Sequence, residues 1–376
     1  MALLTVSSAV AEEPRNTGEK PKWIISSGAV VPLPPGSLVS LAVTLEKKIE
    51  AIKLDLVLSG DDQVMVLPDP RINAETNVAQ HFSDRSREDG SYYSVDFSRA
   101  ELKELAHRTN DTAATFPGTP VGFTPEFPVI ALDEALGYID LVHAELAQRP
   151  VVICELRKGW EHRREGKDLA GAVYALLQDY LRRSGRAELY LASYDPDELQ
   201  RLSAIRDPGD TAIKFIQLIG SNDGAEVKTF EFGQYQPFNY DLLFTKFGLK
   251  AVSTYAAAIG LQPQTILYPS GTVTRPQYLD DAHTLGMEVI LYGEVSGLQF
   301  DAAAPTRPTT VLEHLFDGVG FDAVVSDDAE LIEGWQQGRS EPNRTGDQQS
   351  AIERLIEQIE RGSSKQPASD RSGTTR

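Results

Sequence analysis

Charged side chains alternate with apolar residues in two segments of the chain, "IKLDLVL" and "VVICELR". In the first, the leucines share one face of a predicted β-strand, and Lys53 and Asp55 point to the other face. Glu155 and Arg157 alternate in the same way in the second segment. A carboxylate inside a protein needs a cationic partner or a metal ion. The pattern therefore predicts either a self-neutralising ion cluster or a metal site.

Two further predicted strands end at residues that do not transfer protons near neutral pH. The segment "WIISSGA" delivers Ser26 and Ser27, and "VMVLPDP" delivers Pro68. A serine hydroxyl is a poor general base without an adjacent base, and proline has no proton to give. If these strand ends meet the charged residues, the site combines buried charge with none of the usual acid–base groups.

Strand-like and helix-like segments alternate from residue 22 to about 336, which predicts a parallel sheet. Seven or eight such units favour a TIM (β/α)₈ barrel over an open doubly wound sheet. No Gly-rich phosphate fingerprint follows the first strand. The predicted strands are 23–26, 52–58, 64–67, 151–156, 188–194, 214–220, 265–269, 288–295 and 322–327, and the helices include 38–50, 130–148, 168–183, 195–204, 248–259, 275–285 and 309–318.

Residues 71–128 interrupt this alternation. They are rich in Asn, Asp, Arg, Ser, Gly and Pro, and they contain an aromatic cluster. A long insertion between a strand and its helix lies over the end of a barrel where chemistry takes place. The insertion is either a functional loop subdomain or a surface elaboration.

The two ends of the chain differ in composition from the barrel. Residues 1–21 are a polar lead-in or a vestigial signal peptide, because no Lys or Arg precedes their short apolar stretch. Residues 337–376 contain a polar linker, an amphipathic helix over 349–361 and a tail with the composition of a disordered segment. The helix either docks on its own barrel or binds a protein partner.

Composition excludes some classes of protein. A formal net charge of −19 argues against a nucleic-acid binder, which concentrates Lys and Arg. No apolar run approaches the roughly 18 residues of a membrane-spanning helix. A single cysteine, Cys154, excludes an internal disulfide and does not report the compartment.

The chain resembles the glycerophosphodiester phosphodiesterases, particularly the periplasmic or secreted bacterial branch. The stretches that carry the resemblance include "DLVLSGDDQVMVLPDPRINAETN", "ICELRKGWEHRREGKDLA", "LYLASYDPDELQRL" and "VVSDDAELI". The resemblance implies a TIM barrel with an inserted subdomain and a carboxylate-bound calcium or magnesium ion. It also implies a role in glycerophospholipid metabolism, through hydrolysis of glycerophosphodiesters to glycerol 3-phosphate and an alcohol.

The positions that transfer protons in this family differ in this chain. The family carries a His-Arg-Gly motif at the end of the first strand, where this sequence has Ser26, Ser27 and glycine. Its second histidine opens a His-Asp motif, where this sequence has Pro68. Losing one general acid or base lowers a rate by about 10²–10⁴. The resemblance therefore implies a family member without its catalytic histidines.

The family's metal-binding positions are altered as well. Its Glu-x-Asp pair is Lys53 and Asp55 here, and its Glu-x-Lys pair is Glu155 and Arg157. Asp55 and Glu155 are thus residual metal carboxylates, and Lys53 stands in the third position. Our hypothesis is that the Lys53 ammonium replaces the ion, so that no cofactor is needed. The alternative is that Lys53 extends toward solvent.

These observations favour a catalytically inactive phosphodiesterase-like protein that binds a phosphodiester or a polyol phosphate at the barrel mouth. The candidate ligand-binding residues are Lys53, Arg157, His162 and Gln217. His162 follows the strand of Glu155 and either binds a phosphate or belongs to a solvated loop; Gln217 either binds a ligand or caps the core. The alternatives are an active metal-dependent hydrolase with a modified site and a scaffold that binds a partner.

Overall fold

The structure, a computed structural model, describes residues 23–27, 33–108, 126–146, 149–207, 209–268, 272–293, 311–312, 314–328 and 332. The strands are β1 (Trp23–Ser26), β2 (Ala51–Leu58), β3 (Val64–Val66), β4 (Val151–Leu156), β5 (Leu189–Ser193), β6 (Ile213–Ile219), β7 (Lys228–Glu231), β8 (Gln234–Pro237), β9 (Ala258–Leu261), β10 (Glu288–Leu291) and β11 (Ala323–Val325). The α-helices are α1 (Leu38–Glu46), α2 (Val78–His81), α3 (Arg99–Leu102), α4 (Leu132–Leu146), α5 (Gly159–Arg164), α6 (Leu169–Ser184), α7 (Pro196–Ile205), α8 (Lys246–Val252), α9 (Pro263–Ile266) and α10 (Pro276–Thr284). Short 3₁₀ turns at Ser94–Asp96 and Tyr240–Leu242 and a π-helix at His314–Val319 complete the described elements.

Eight of the described strands form a closed parallel barrel. Their order is β1, β2, β4, β5, β6, β9, β10 and β11, and β11 pairs with β1 to close the ring. Strand β3 is antiparallel to β2 and extends the sheet outside the ring. The TIM barrel that the alternating segments predict is therefore confirmed.

The alternation in β2 separates the helical layer from the barrel interior. Leu54 and Leu56 have no exposed surface and belong to the main hydrophobic core with α1 and α4. Lys53 and Asp55 point to the opposite face, where their side chains are 11% and 14% exposed. In the register of β2 and β4, Asp55 lies directly beside Glu155. Strand pairing thus brings the charged residues of two segments together.

A second, smaller core packs on the inward side of β2, beyond Lys53 and Asp55. It begins at Val57 and continues into β3 and the segment that follows. The aromatic cluster of this segment contributes Tyr92 and Phe97, with ring centroids 6.4 Å apart. The other members of this core are Met65, Leu67, Ile72, Val78, Leu102, Leu105, Val129 and Ala131. The described part of residues 71–128 therefore packs beside the carboxyl ends of the barrel strands.

One strand lies elsewhere than the sequence pattern predicts. The expected helix 248–259 and strand 265–269 are wrong: α8 ends at Val252, and the barrel strand is β9 at Ala258–Leu261. All four residues of β9 are buried, so no polar alternation marks it. An added Cβ at Gly260 would lie 2.4 Å from Leu218 Cδ2, which shows how closely β9 approaches β6.

The predictions for the chain ends fall outside the described residues, including the lead-in 1–21 and the helix 349–361. The rest of the segment 337–376, which the sequence predicts to be a linker and a tail, also lies outside the described residues. Within the described part of the chain, no helix has the length and apolarity of a membrane span.

Candidate ligand site at the barrel mouth

Lys53 joins the two carboxylates that β2 and β4 deliver to the barrel interior. Its Nζ donates to Asp55 Oδ1 at 2.6 Å and to Glu155 Oε2 at 3.1 Å. Tyr292, directly after β10, donates its hydroxyl to the same Glu155 oxygen at 2.8 Å. The Lys53 ammonium also lies 6.0 Å from the centroid of the Tyr292 ring. The lysine therefore points into an ion network rather than toward solvent.

The surroundings fix the ionisation states of this network. Burial opposes the charge on Lys53, but the attraction of Asp55 and Glu155 raises the pKa of Lys53 above its ordinary value. Burial also opposes the charge on Glu155, but Lys53, Arg157 and the Tyr292 hydroxyl lower the pKa of Glu155 to about 2. Burial is the largest influence on Asp55 and raises its pKa despite the attraction of Lys53. Lys53 and Glu155 are therefore both charged at neutral pH.

Arg157 extends the network from β4 to neighbouring loops. Its Nε donates to the Pro68 carbonyl at 2.8 Å, and its Nη1 donates to Glu155 Oε1. Its Nη2 donates to Glu226 Oε1 at 3.1 Å. These carboxylates raise the pKa of Arg157 although burial opposes its charge. Hydrogen bonds to three different residues thus hold the guanidinium in one orientation.

Ser26 and Ser27 lie on the other side of the barrel mouth, where β1 and β11 end. Ser26 Oγ donates to Asp327 Oδ1 at 2.6 Å, and the Ser27 amide donates to the same oxygen at 2.9 Å. The Ser27 hydroxyl donates to Asp327 Oδ2. Ser26 is fully buried, and Ser27 is partly exposed. The two serines therefore orient a carboxylate that lies just after the last barrel strand.

A cavity of about 380 Å³ separates these two sides. Ser27, Lys53, Arg157 and Glu155, which the sequence marked as candidates, line it together with further residues. These further residues are Tyr194, Glu226, Gln262, Pro263, Gln264, Tyr292, Gly293, Val325 and Asp327. Pro68 and Asp55 line a much smaller adjoining cavity that shares Ser27 and Lys53. Hydroxyl, amide and charged groups thus converge on one space at the carboxyl ends of the strands.

His162 does not reach this cavity. It lies on α5, is 1% exposed, and its Nε2 accepts a hydrogen bond from the Leu58 amide at 3.0 Å. Burial lowers the pKa of His162 to about 4, so the ring is neutral near pH 7. The next residue, Arg163, pairs with Asp195 at 2.6 Å. Of the two roles that the sequence left open for His162, a phosphate ligand and a place in a solvated loop, this geometry fits neither, because the buried ring holds the end of β2.

Gln217 is also directed into the protein rather than into the cavity. Its side chain is fully buried, and its Nε2 donates to the Leu218 carbonyl at 2.9 Å and to the Ser193 and Tyr194 carbonyls at 3.3 Å. Its Oε1 accepts from the Tyr255 hydroxyl at 2.8 Å. Of the two roles that the sequence left open, this geometry fits the capping of the core.

Comparison with known proteins places the barrel in a family. The sequence profile of the Glycerophosphoryl diester phosphodiesterase family matches residues 32–331. The chain belongs to this family. The glycerophosphodiester phosphodiesterase of Treponema pallidum (strain Nichols) is 27% identical over 241 residues, which cover 62% of this chain and 68% of that protein.

Solved structures show the same fold. A Silicibacter pomeroyi DSS-3 protein described as a glycerophosphoryl diester phosphodiesterase superposes with a TM-score of 0.58 at 18% identity, covering 85% of this chain and 94% of its own. A phosphodiesterase from Oleispira antarctica, solved with the product sn-glycerol-3-phosphate, has a TM-score of 0.51 at 16% identity. That match covers 85% of this chain and 97% of the other.

The resemblance to the glycerophosphodiester phosphodiesterases implies a calcium or magnesium ion, and the residues present here do not fit one. A hard cation needs several oxygen ligands around a common point. Between Asp55 and Glu155 that point is taken by the Lys53 ammonium, 2.6 and 3.1 Å from their oxygens. Among the described residues, no group of three or more His, Cys, Asp or Glu side chains is arranged to hold a metal. The donor set is that of an internal ion network.

Proposed function

We propose that this protein binds a glycerophosphodiester at the barrel mouth and does not hydrolyse it. The observation that carries the proposal is the Lys53 ammonium, which lies between Asp55 and Glu155 where the family resemblance implies a metal ion. The cation keeps the two carboxylates neutralised and the site in shape. It does not supply the coordination positions through which an ion activates water and polarises a phosphoryl oxygen.

The lining of the cavity supports binding. The Lys53 ammonium and the Arg157 guanidinium both line the cavity of about 380 Å³, so a phosphodiester oxygen that enters it can contact them although each is already paired with carboxylates. Ser27, Gln262 and Gln264 line it as well and supply donors and acceptors for the hydroxyls of a glycerol moiety. A cavity with a few converging polar groups is the usual form of a small-molecule site.

The proton-transfer positions support the absence of hydrolysis. The hydroxyls of Ser26 and Ser27 donate hydrogen bonds to Asp327. Neither serine is therefore placed to act as a general base on a ligand in the cavity. Pro68 contributes its carbonyl to Arg157 and has no proton to transfer. Two missing acid–base groups lower a rate by about 10⁴–10⁸ if each contributes about 10²–10⁴.

The decisive experiment compares the wild-type protein with a variant that restores the family motifs. The variant carries Ser26→His, Ser27→Arg, Lys53→Glu and Pro68→His. Glycerophosphocholine is incubated with each protein and calcium or magnesium, and glycerol 3-phosphate release is measured. We expect no turnover by the wild-type protein and measurable turnover by the variant, because the fold is retained while the acid–base and carboxylate groups return.

A matched control separates a real active site from a contaminant. The restored variant with the additional change Asp55→Ala should lose turnover. Wild-type turnover that Asp55→Ala abolishes would overturn the proposal and establish the alternative, an active hydrolase with a modified site. Isothermal titration calorimetry of the wild-type protein with calcium tests the role of Lys53. Stoichiometric calcium binding at this site would show that the ammonium does not replace the ion.

A further inference from the structure

The partners of Arg157 reveal a carboxylate that the barrel strands do not supply. Glu226 lies between β6 and β7, and its Oε1 accepts from Arg157 Nη2 at 3.1 Å. Both side chains are 18% exposed, and both line the cavity. A ligand phosphate that approaches Arg157 from the cavity therefore meets a carboxylate that is already bound to the guanidinium.

The loop before the hairpin fixes Glu226 in this place. Asp223 Oδ1 accepts from the Ala225 amide at 2.9 Å, and Gly224 adopts a φ of +74°, which forms a tight turn. Val227, the next residue after Glu226, is buried in the main core and accepts from the Phe238 amide at 3.1 Å. The carboxylate is thus positioned by backbone on both sides and is not a freely moving surface side chain.

The charges around the cavity are unequal. Among the described residues that line it or the adjoining small cavity, the cations are Lys53 and Arg157, and the carboxylates are Asp55, Glu155, Glu226 and Asp327. Lys53 is neutralised by two of these carboxylates, and Arg157 shares Glu155 with it. Repulsion by the remaining carboxylates grows in proportion to the negative charge on the ligand.

We propose that Glu226 makes this site select singly charged phosphodiesters against doubly charged phosphomonoesters. The inference rests on the proposed function, because it concerns the same ligand at Arg157. A phosphomonoester carries a charge of about −2 above its second pKa of about 6, whereas a diester has no second proton to lose. Glu226 therefore repels a monoester about twice as strongly as a diester, and both ligands contact the same guanidinium.

The test measures the affinity of two probes for the full-length protein by isothermal titration at pH 8. The probes are glycerophosphoglycerol, a diester, and glycerol 3-phosphate, a monoester. Glu226→Gln keeps an oxygen acceptor for Arg157 and removes the charge. We expect the variant to bind glycerol 3-phosphate about 10-fold more tightly and glycerophosphoglycerol about 3-fold more tightly, because the gain in free energy scales with ligand charge.

The matched control is Glu231→Gln on β7, an exposed glutamate of the same hairpin, which should leave both affinities unchanged. A wild-type preference for the diester that narrows in Glu226→Gln supports the inference. An unchanged ratio of the two affinities in Glu226→Gln, or a wild-type preference for the monoester, overturns it and leaves the proposed function standing. Failure of both probes to bind the wild-type protein and the variant overturns the proposed function, and the inference with it.

Discussion

On the β2/β4 side of the barrel mouth, oppositely charged side chains neutralise one another, whereas on the β1/β11 side serine groups surround the carboxylate of Asp327. Lys53 contacts both Asp55 and Glu155, and Arg157 contacts Glu155 again. On the other side, Asp327 accepts from the hydroxyls of Ser26 and Ser27. Removing one ion-pair or hydrogen-bond partner should therefore lower the unfolding free energy by different amounts on the two sides.

The difference fits our proposal that the site keeps its shape without hydrolysing its ligand. A buried carboxylate pair is strongly destabilising without a cation, so the β2/β4 side needs either an ion or a residue such as Lys53. Groups that only transfer protons carry no such structural demand. The histidine positions of the family can therefore become serine or proline without leaving an unpaired charge. On our proposal, Lys53 takes the place of an ion beside two carboxylates, whereas Ser26 and Pro68 stand at histidine positions that no buried charge requires.

The largest effect is expected from Lys53→Met. This change leaves Asp55 and Glu155 buried beside each other, and breaking a buried ion pair costs about 3–5 kcal/mol of unfolding free energy. Urea denaturation followed by circular dichroism measures the loss. The additional change Asp55→Asn should recover part of it, because it removes the carboxylate that has lost its cation, whereas Glu155 keeps Arg157 and the Tyr292 hydroxyl.

A partly exposed lysine whose carboxylate partner is exposed provides the matched control for this prediction. Lys167 pairs with Asp62 at 2.8 Å, but the Asp62 side chain is 65% exposed. Lys167→Met should therefore cost about 0–1 kcal/mol. Equal losses for Lys53→Met and Lys167→Met would contradict the view that Lys53 neutralises a buried pair.

The strand pattern predicted the β2/β4 side well. A parallel barrel strand buries one face against helices, so the leucines of β2 fix the direction of Lys53 and Asp55. The same alternation in β4 places Glu155 beside Asp55. Local periodicity thus determines which side chains face the barrel interior, and the observed register of β2 and β4 decides which of them meet.

The rest of the site could not be derived from periodicity. Glu226 lies in the irregular connection after β6, where no period relates sequence to direction. Gln262 follows β9, which is too short and too evenly buried to be recognised as a strand. His162 was expected in a loop, but α5 turns it inward to the end of β2. Tyr194 and Tyr292 carried one usable signal, since each directly follows the carboxyl end of a barrel strand.

On the β2/β4 side, protonation of His162 should also make the unfolding free energy depend on pH. Burial lowers the pKa of His162 to about 4, whereas an unfolded histidine has a pKa of about 6.5. The unfolded state therefore binds the additional proton between these values, and the unfolding free energy falls as the pH decreases from about 6.5 to about 4. The contribution is on the order of 1–3 kcal/mol.

His162→Gln tests this dependence because glutamine can still accept from the Leu58 amide. Unfolding free energies measured across this pH range should fall less steeply for the variant than for the wild-type protein. His107, whose pKa burial also lowers to about 4, should keep part of the slope in both proteins. His81→Gln, at an exposed histidine, is the control. An identical slope for His162→Gln and the wild-type protein would show that the ring is not held neutral by burial.

The smallest effect is expected on the β1/β11 side, from Ser27→Ala. Asp327 loses the hydroxyl of Ser27 but still accepts from Ser26 Oγ at 2.6 Å and from the Ser27 amide at 2.9 Å. Ser27 lines the cavity, so water can replace the lost donor. The unfolding free energy should therefore fall by about 0.5–1.5 kcal/mol in urea denaturation.

An exposed pair of the same kind is the control for Ser27→Ala. Ser221 Oγ donates to Asp223 at 2.8 Å in the loop after β6, and Ser221→Ala should cost no more than about 0.5 kcal/mol. If Ser27→Ala instead costs as much as Lys53→Met, the Asp327 side depends on its hydroxyls as strongly as the Asp55 side depends on its ammonium. The serine hydroxyls would then be essential to the folded structure. Removing one neutral donor costs the protein that much unfolding free energy only where water cannot reach the carboxylate.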